Sequence, residues 1–174
     1  FAQKAALKVQ LGHNKAIAAL EVSPDQKFAL SGGFDNAVKL WNVKTGRLIR
    51  GYYGHKHFVK DLAFHPSGNI FASASWDKTV RLYRISEEAP YRTLKGHERG
   101  VEAVAFSGKV VVSASLDQTV RLWSTETGQV LNVIECGQPV HALALQPGKD
   151  RLAIGLADGS IQLRSATSGD IIRQ

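Results

Sequence analysis

Short apolar segments follow one another along the whole chain, and turn-forming residues separate them. The segment Ile17–Val22, for example, is followed by Pro24-Asp25 and then by a second apolar segment, Phe28–Ser31. Proline fixes φ and glycine permits positive φ, so Pro-Asp, Pro-Ser-Gly and Thr-Gly between apolar segments are typical of turns. No segment has a helical period of useful length. The pattern therefore predicts an all-β protein with antiparallel strands.

The apolar segments form four groups of four predicted strands, preceded by a short candidate strand at Ala6–Leu11. The first group is Ile17–Val22, Phe28–Ser31, Val38–Asn42 and Arg47–Tyr52. The second is Val59–Phe64, Ile70–Ser73, Val80–Arg84 and Tyr91–Leu94. The third is Val101–Phe106, Val110–Ser113, Val120–Ser124 and Gln129–Ile134. The fourth is Val140–Leu145, Leu152–Gly155, Ile161–Arg164 and Asp170–Arg173.

The four groups are copies of one repeat of about forty residues. The clearest copies begin with Gly-His and run over Gly12–Trp41, Gly54–Tyr83 and Gly96–Trp123, and a diverged fourth copy runs from Cys136 to Arg164. One aspartate marks each copy, at intervals of 42, 40 and 41 residues: Asp35, Asp77, Asp117 and Asp158. The first strand of each repeat carries small residues such as Ala63 and Ala103, which suits strands crowded around an axis.

These motifs resemble the WD-repeat β-propeller family: Gly-His, then Ser-x-x-x-Asp, then x-Val-[Lys/Arg]-Leu-[Trp/Tyr]. The resemblance implies four-stranded antiparallel blades around a central channel. It places the blades at about 12–53, 54–95, 96–135 and 136–174, within a single propeller unit spanning 1–174. It also implies that a His, a Ser, an Asp and a Trp of each repeat form a buried hydrogen-bonded tetrad.

Two repeats match the tetrad in full, with His13, Ser31, Asp35 and Trp41, and with His97, Ser113, Asp117 and Trp123. The second repeat has His55, Ser73 and Asp77, but Tyr83 replaces the tryptophan. The fourth retains only Asp158, beside Cys136, Ile154 and Arg164. Ser, His and Asp also invite a hydrolase triad, but a set that recurs once per repeat favours a structural role. The histidines and the single cysteine show no metal-ligand spacing, and we predict no cofactor and no enzymatic activity.

In this family the outermost strand of the last blade comes from the N-terminus, and Ala6–Leu11 fits that closing strand. However, Asp170–Arg173 already supplies an outer strand to the fourth blade. Three arrangements follow, in order of preference: part of a longer propeller, two copies joined in an eight-bladed ring, or four blades closed alone. An open arc would expose blade faces and strand edges.

Partners of such propellers usually bind the edge that carries the loops between blades. The residue before each turn aspartate points to that edge, and three of these residues are large and apolar: Phe34, Trp76 and Leu116. The loops after Gly-His add Lys15, Lys56, His57, Phe58 and Arg99. Aromatic anchors beside cations suit a protein or peptide partner of acidic character. The alternative is that Phe34 and Trp76 pack against neighbouring loops.

Composition changes this picture little. The net charge of +7 invites a nucleic-acid role, but the basic residues form no run with interleaved aromatics, so nucleic acid is an unlikely partner. No apolar run is long enough to span a membrane. Ala2-Gln3 would suit the end of a removed secretory signal, although a trimmed chain is the simpler explanation, and the compartment stays open. The sequence predicts a non-catalytic interaction scaffold; the alternative is a sensing or targeting segment of a larger enzyme or of a nucleic-acid-associated complex.

Overall fold

The structure is a computed structural model that describes residues 12–146 and 149–173. These residues form four antiparallel sheets of four strands, each ordered as in the chain. The first blade contains β1 (Ile17–Val22), β2 (Phe28–Gly33), β3 (Val38–Asn42) and β4 (Leu48–Tyr52). The second contains β5 (Val59–Phe64), β6 (Ile70–Ser75), β7 (Thr79–Arg84) and β8 (Arg92–Lys95).

The third and fourth blades repeat this arrangement. The third contains β9 (Val101–Ser107), β10 (Val110–Ser115), β11 (Thr119–Ser124) and β12 (Val130–Glu135). The fourth contains β13 (Val140–Leu145), β14 (Leu152–Leu156), β15 (Ile161–Arg164) and β16 (Ile171–Arg173). The all-β prediction and the four groups of strands are confirmed. The closing strand predicted at Ala6–Leu11 and the turn predicted at Pro147-Gly148 lie outside the described residues.

The innermost strands line up side by side around one centre. β1 packs on β5, β5 on β9, and β9 on β13. A side-chain bond joins two of them, because the Asp61 carboxylate in β5 accepts the amide of Val104 in β9 at 2.9 Å. Burial raises the pKa of Asp61. The small side chains on these strands, such as Ala63 and Ala103, are buried where neighbouring blades approach most closely.

Each pair of neighbouring blades buries an apolar layer between two unlike faces. Between the first and second blades, Leu30, Val38 and Leu40 pack against Phe71 and Tyr83. In the second and third blades the face with the tetrad serine and the Tyr or Trp is turned towards the preceding blade. In the second blade Ser73 lies opposite Arg81 and Phe71 opposite Tyr83, so these residues share one face, and both rings pack on the first blade. The opposite face, which carries small and branched apolar residues, is turned towards the following blade.

The two ends of this stack lack a covering blade among the described residues. On the first blade Leu20 is 72% exposed and Val22 54% exposed, and on the fourth Ile161 is 63% exposed. No packing comparable to that between consecutive blades joins β13 to β1. The described blades thus form an open arc, which differs from the arrangement in which four blades close alone. No helix in residues 12–146 and 149–173 is long and apolar enough to cross a membrane.

Candidate interaction site on the loop edge

The tetrads form where the sequence predicts them. In the third blade, the His97 ring nitrogens lie 2.7 Å from an Asp117 carboxylate oxygen and 2.7 Å from the Ser113 hydroxyl. The Trp123 indole donates to the same hydroxyl at 2.8 Å. In the first blade, the His13, Asp35, Ser31 and Trp41 side chains are connected by the same three distances. The turn aspartate therefore fixes the loop before the innermost strand to the turn after the second strand.

In the second blade Tyr83 occupies the position of the tryptophan but donates no hydrogen bond to the tetrad serine, Ser73. His55 bonds Asp77 and Ser73 at 2.7 Å, as in the other blades. Tyr83 instead stacks on Phe71, with ring centroids 4.9 Å apart, and is 1% exposed. No hydrogen bond joins Tyr83 to Ser73 among the described residues. Burial raises the pKa of Tyr83.

In the fourth blade Arg164 stands at the tryptophan position and donates hydrogen bonds both to the third blade and within its own blade. The Arg164 guanidinium donates to the Glu135 carbonyl at 3.1 Å and to the Gly169 carbonyl at 3.0 Å. Asp158 is exposed and, among the described residues, binds only Ser160, whose hydroxyl lies at 2.7 Å. Arg164 therefore joins β15 to the outer strand of the preceding blade.

Two threonines complete the tetrads and were missed in the sequence analysis. The Thr79 hydroxyl donates to Asp77 at 2.6 Å, and the Thr119 hydroxyl donates to Asp117 at 2.7 Å. Their backbone amides donate to the same carboxylates at 3.1 and 2.9 Å. The spacing Asp-x-Thr, which returns as Asp-x-Ser at Ser160, is the signal that predicts them.

In the second blade the electrostatics favour a charged Asp77 and a neutral His55. Burial by itself would raise the pKa of Asp77, but hydrogen bonds from His55, Thr79 and the Lys56 amide outweigh burial and hold it well below its usual range. The pKa of Asp117 is lowered in the same way. Burial lowers the pKa of His55, and the Asp77 carboxylate only partly opposes this effect.

The Ser-His-Asp sets are poor candidates for hydrolysis. Ser73 and Ser113 are 0% exposed, so a substrate carbonyl has no access to either hydroxyl. In the third blade the Ser113 oxygen also accepts a hydrogen bond from the Trp123 indole, so the hydroxyl is already engaged on both sides. Within residues 12–146 and 149–173, no three His, Cys, Asp or Glu side chains are grouped as metal ligands. The tetrads are thus structural connections between loops.

The same backbone bond presents one side chain per blade at the loop edge. The amides of Phe34, Trp76, Leu116 and Ala157 donate to carbonyls of the loop before the innermost strand, at 2.8 to 3.0 Å. The bond fixes each turn relative to its loop. The identity of the presented residue then varies from blade to blade, while the framework is constant.

Three aromatic side chains predicted at this edge form one cluster with His57. Phe34 stacks on Phe58 with ring centroids 4.4 Å apart, although the two belong to different blades. Phe58 and His57 lie 5.8 and 5.6 Å from the Trp76 ring. Trp76 is 37% exposed. Its ring lies over Gly100, where a Cβ would come within 2.7 Å of the indole, so the glycine provides the space. We call Phe34, His57, Phe58 and Trp76 the aromatic cluster.

Charged residues on the innermost strands lie beneath the aromatic cluster. The Lys60 ammonium lies 5.1 Å from the centre of the Trp76 ring and 3.7 Å from Glu102. The Trp76 indole donates to Glu102, and His141 lies 4.0 Å from the same carboxylate. The Glu102 side chain is only 9% exposed; the Lys60 ammonium balances its charge and the Trp76 indole donates a hydrogen bond to it.

The structure brings together four of the eight residues proposed for the loop edge. Lys15, Lys56 and Arg99 are exposed and Leu116 is half-buried, and none of these four contacts the aromatic cluster through a ring or ion pair among the described residues. Lys60, Glu102 and His141 were missed. They occupy one repeat position, the second residue of β5, β9 and β13, and three polar residues at one position of apolar strands are a usable signal.

Comparison with known proteins decides the family. The model of the "WD domain, G-beta repeat" family matches residues 5–42 and 46–84, and that of the "TEP-1 C-terminal beta-propeller" matches residues 97–163. The chain belongs to the WD-repeat family. Members of this family act as protein-interaction scaffolds, and the partial propeller seen here is consistent with membership.

The WD-repeat chain is also similar to several curated proteins. It is 31% identical over 162 residues to periodic tryptophan protein 2 of Arabidopsis thaliana, covering 88% of this chain and 18% of that protein. It is 30% identical over 147 residues to autophagy-related protein 16 of the same plant, covering 83% of this chain and 29% of that protein. A ribosome biogenesis protein BOP1 homolog of Oryza sativa subsp. japonica is 35% identical over 69 residues, which are 39% of this chain and 10% of that protein. The chain thus spans less than a third of the length of these relatives.

Proposed function

We propose that this chain is a non-catalytic interaction platform whose partner, a protein or peptide, binds the loop edge with the aromatic cluster at its centre. The observation that carries this proposal is the aromatic cluster itself: side chains from two blades form one surface, and Trp76 stays 37% exposed at its centre. Trp, Tyr and Arg dominate the binding free energy of most interfaces, because they supply a large area at little cost in conformational entropy.

The rigidity of the support favours this role. Phe34 and Trp76 are held by backbone bonds of their own turns, and the turns are fixed by the tetrads of Asp35 and Asp77. A partner therefore meets a preformed surface, and little ordering of the chain opposes binding. Cations around the edge, such as Lys15 and Arg99, suit a partner of acidic character.

Selection of a displayed random peptide library against the chain tests this proposal. Peptides that bind the wild type should lose at least tenfold in affinity for Trp76→Ala, because that variant removes the central ring and leaves Glu102 still paired with Lys60 and His141. Val43→Ala is the matched control, since Val43 is a 48% exposed apolar residue at the opposite edge of the first blade. Equal binding of the selected peptides to wild type and Trp76→Ala would show that the proposed surface is wrong.

A further inference from the structure

Four cations that are far apart in the sequence converge on one cavity of the second blade. The cavity has a volume of about 390 Å³, and Lys56, Lys78, Lys95 and Arg81 line it, with Asp77 as the only acidic residue of the lining. The Asp77 carboxylate is already occupied by His55 at 2.7 Å and by Thr79 at 2.6 Å. We call this cavity the lysine pocket.

The three lysines of the lysine pocket are free to bind an anion. Among the described residues, no carboxylate lies within 4.0 Å of the ammonium group of Lys56, Lys78 or Lys95, and all three residues are exposed. Lysines 27 and 109, by contrast, are paired with Asp25 and Glu126. The Arg81 guanidinium lies 4.0 Å from the Asp77 carboxylate, whereas the three ammonium groups have no such partner among the described residues. These ammonium groups repel one another, and an anionic group placed between them relieves that repulsion.

The three lysines of the pocket are specific to the second blade and are not conserved positions of the repeat within this chain. A cation at the position of Arg81 recurs as Lys39 and Arg121 and belongs to the architecture. The other three positions of the lysine pocket are different in the third blade, where Glu98, Gln118 and Glu135 replace Lys56, Lys78 and Lys95. The fold therefore does not require lysine at any of these three positions.

The lysine pocket and the aromatic cluster are built from the same two chain segments. Lys56 precedes His57 and Phe58 in one loop, and Lys78 lies two residues after Trp76 in the facing turn. Both segments are tied to Asp77, since the Lys56 amide donates to its carboxylate at 3.0 Å. A single extended peptide can therefore contact both sites, with an apolar side chain on the cluster and an anionic group in the pocket.

We propose that the partner of the loop edge is a phosphorylated peptide segment, with a large apolar side chain on the aromatic cluster and a phosphoserine or phosphothreonine in the lysine pocket. The proposal rests on the proposed function and specifies its partner. A phosphate group at neutral pH carries close to two negative charges on three acceptor oxygens, which several ammonium groups and one guanidinium can share. A single carboxylate has less charge and fewer acceptor oxygens than a phosphate, so it should bind these cations more weakly.

Three synthetic peptide pools test the proposal. In each pool a leucine or tryptophan stands two, three or four residues before one position, which is phosphoserine, serine or glutamate, and the remaining positions are degenerate. The pools are passed over the immobilised chain and the retained peptides are quantified by mass spectrometry. We expect the phosphoserine pool to be retained at least tenfold more than the serine pool, with the glutamate pool between them.

The matched variants use residues that the fold already accepts. Lys56→Glu with Lys78→Gln and Lys95→Glu copies the third blade into the second and should reduce retention of the phosphoserine pool to the level of the serine pool. Lys27→Glu with Lys44→Gln and Lys109→Glu makes the same change in net charge at the opposite edge and should leave retention unchanged. Circular dichroism and thermal midpoints establish that both variants are folded.

Several results would overturn the proposal. Equal retention of the phosphoserine and serine pools, or of the phosphoserine and glutamate pools, rules out a phosphate site. An equal loss in both triple variants indicates a general charge effect. Tighter, steeply salt-dependent binding of poly(U) through the same lysines indicates nucleic acid instead. If the serine pool is retained and Trp76→Ala releases it, the proposed function stands while the phosphate site fails; if Trp76→Ala changes the retention of no pool, both fail.

Discussion

Replacing Asp117 with alanine tests the structural role of the tetrads most directly. The Asp117 carboxylate accepts four hydrogen bonds, from the His97 ring, the Thr119 hydroxyl and the amides of Thr119 and Glu98. His97 and Thr119 are each 6% exposed, so water cannot easily replace the lost acceptor. Glu98 is exposed, and its amide can bind water.

The magnitude follows from three buried donors: the His97 ring, and the hydroxyl and amide of Thr119. The Thr119 oxygen lies 3.3 Å from the His97 ring nitrogen and can accept its N–H in the variant, which leaves two donors unsatisfied. An unsatisfied buried polar group costs about 1–3 kcal/mol, so two of them lower the free energy of unfolding by about 2–6 kcal/mol. For a chain of this length 1 kcal/mol corresponds to about 2–4 °C, and we expect the thermal midpoint of Asp117→Ala to fall by about 6–12 °C if the loss is about 3 kcal/mol. Circular dichroism at increasing temperature measures this midpoint.

Asp158→Ala is the matched control. Asp158 occupies the same repeat position in the fourth blade but is exposed, and among the described residues it binds only Ser160. Its loss should shift the thermal midpoint far less than the loss of Asp117, because water can replace the carboxylate as acceptor at this exposed position. Equal midpoint shifts for Asp117→Ala and Asp158→Ala would refute the argument that burial of the tetrad makes it stabilising.

Three further predictions concern titration, the aromatic position and the thiol. Folding lowers the pKa values of Asp77, Asp117 and His55, so the unfolded chain binds more protons than the folded chain in acid. The thermal midpoint should therefore fall below about pH 6.5, where His55 is protonated in the unfolded chain, and more steeply below about pH 4, where the aspartates are. Asp117→Asn should make the decrease below about pH 4 less steep. Trp123→Phe should lower the free energy of unfolding by about 1–3 kcal/mol more than Tyr83→Phe in urea titrations, since only Trp123 donates to its serine; equal losses would contradict the assignment. Cys136 is 7% exposed and burial raises the pKa of its thiol, so it should react with a thiol reagent far more slowly in the folded chain than in denaturant; similar rates would show that the fourth blade opens readily.

The sequence predicts the blades well because their strands depend on local pattern. Five predicted strands, including β1 and β5, have the bounds found in the structure. The second strands of the first three blades run two residues further than predicted, to Gly33, Ser75 and Ser115. These residues pair with the start of the innermost strand across an irregularity in register, as Ser75 does with Val59. Pairing of this kind depends on the partner strand, and the apolar pattern of one strand does not encode it.

The loop edge is less predictable because it depends on how blades stack. The residues before the turn aspartates were found from the repeat, but the contact between Phe34 and Phe58 joins two repeats. The same holds for the pair of Lys60 and Glu102. Lys78 and Lys95 belong to one blade, and the pairing of β7 with β8 brings them to one cavity, because Lys95 lies opposite Thr79. In the sequence the basic residues are scattered, and only strand pairing and the stacking of blades show which of them are neighbours.

The unlike faces of each blade give the arc a direction. The face that carries the tetrad serine, or Ile154 in the fourth blade, meets the opposite, small and branched face of the blade before it, so the first described blade leaves one kind of face uncovered and the fourth leaves the other. Any sheet that extends the arc must therefore be added head-to-tail, whichever chain supplies it. Two arcs that met through identical ends would oppose large residues to large ones or small to small, so symmetric end-to-end pairing is disfavoured.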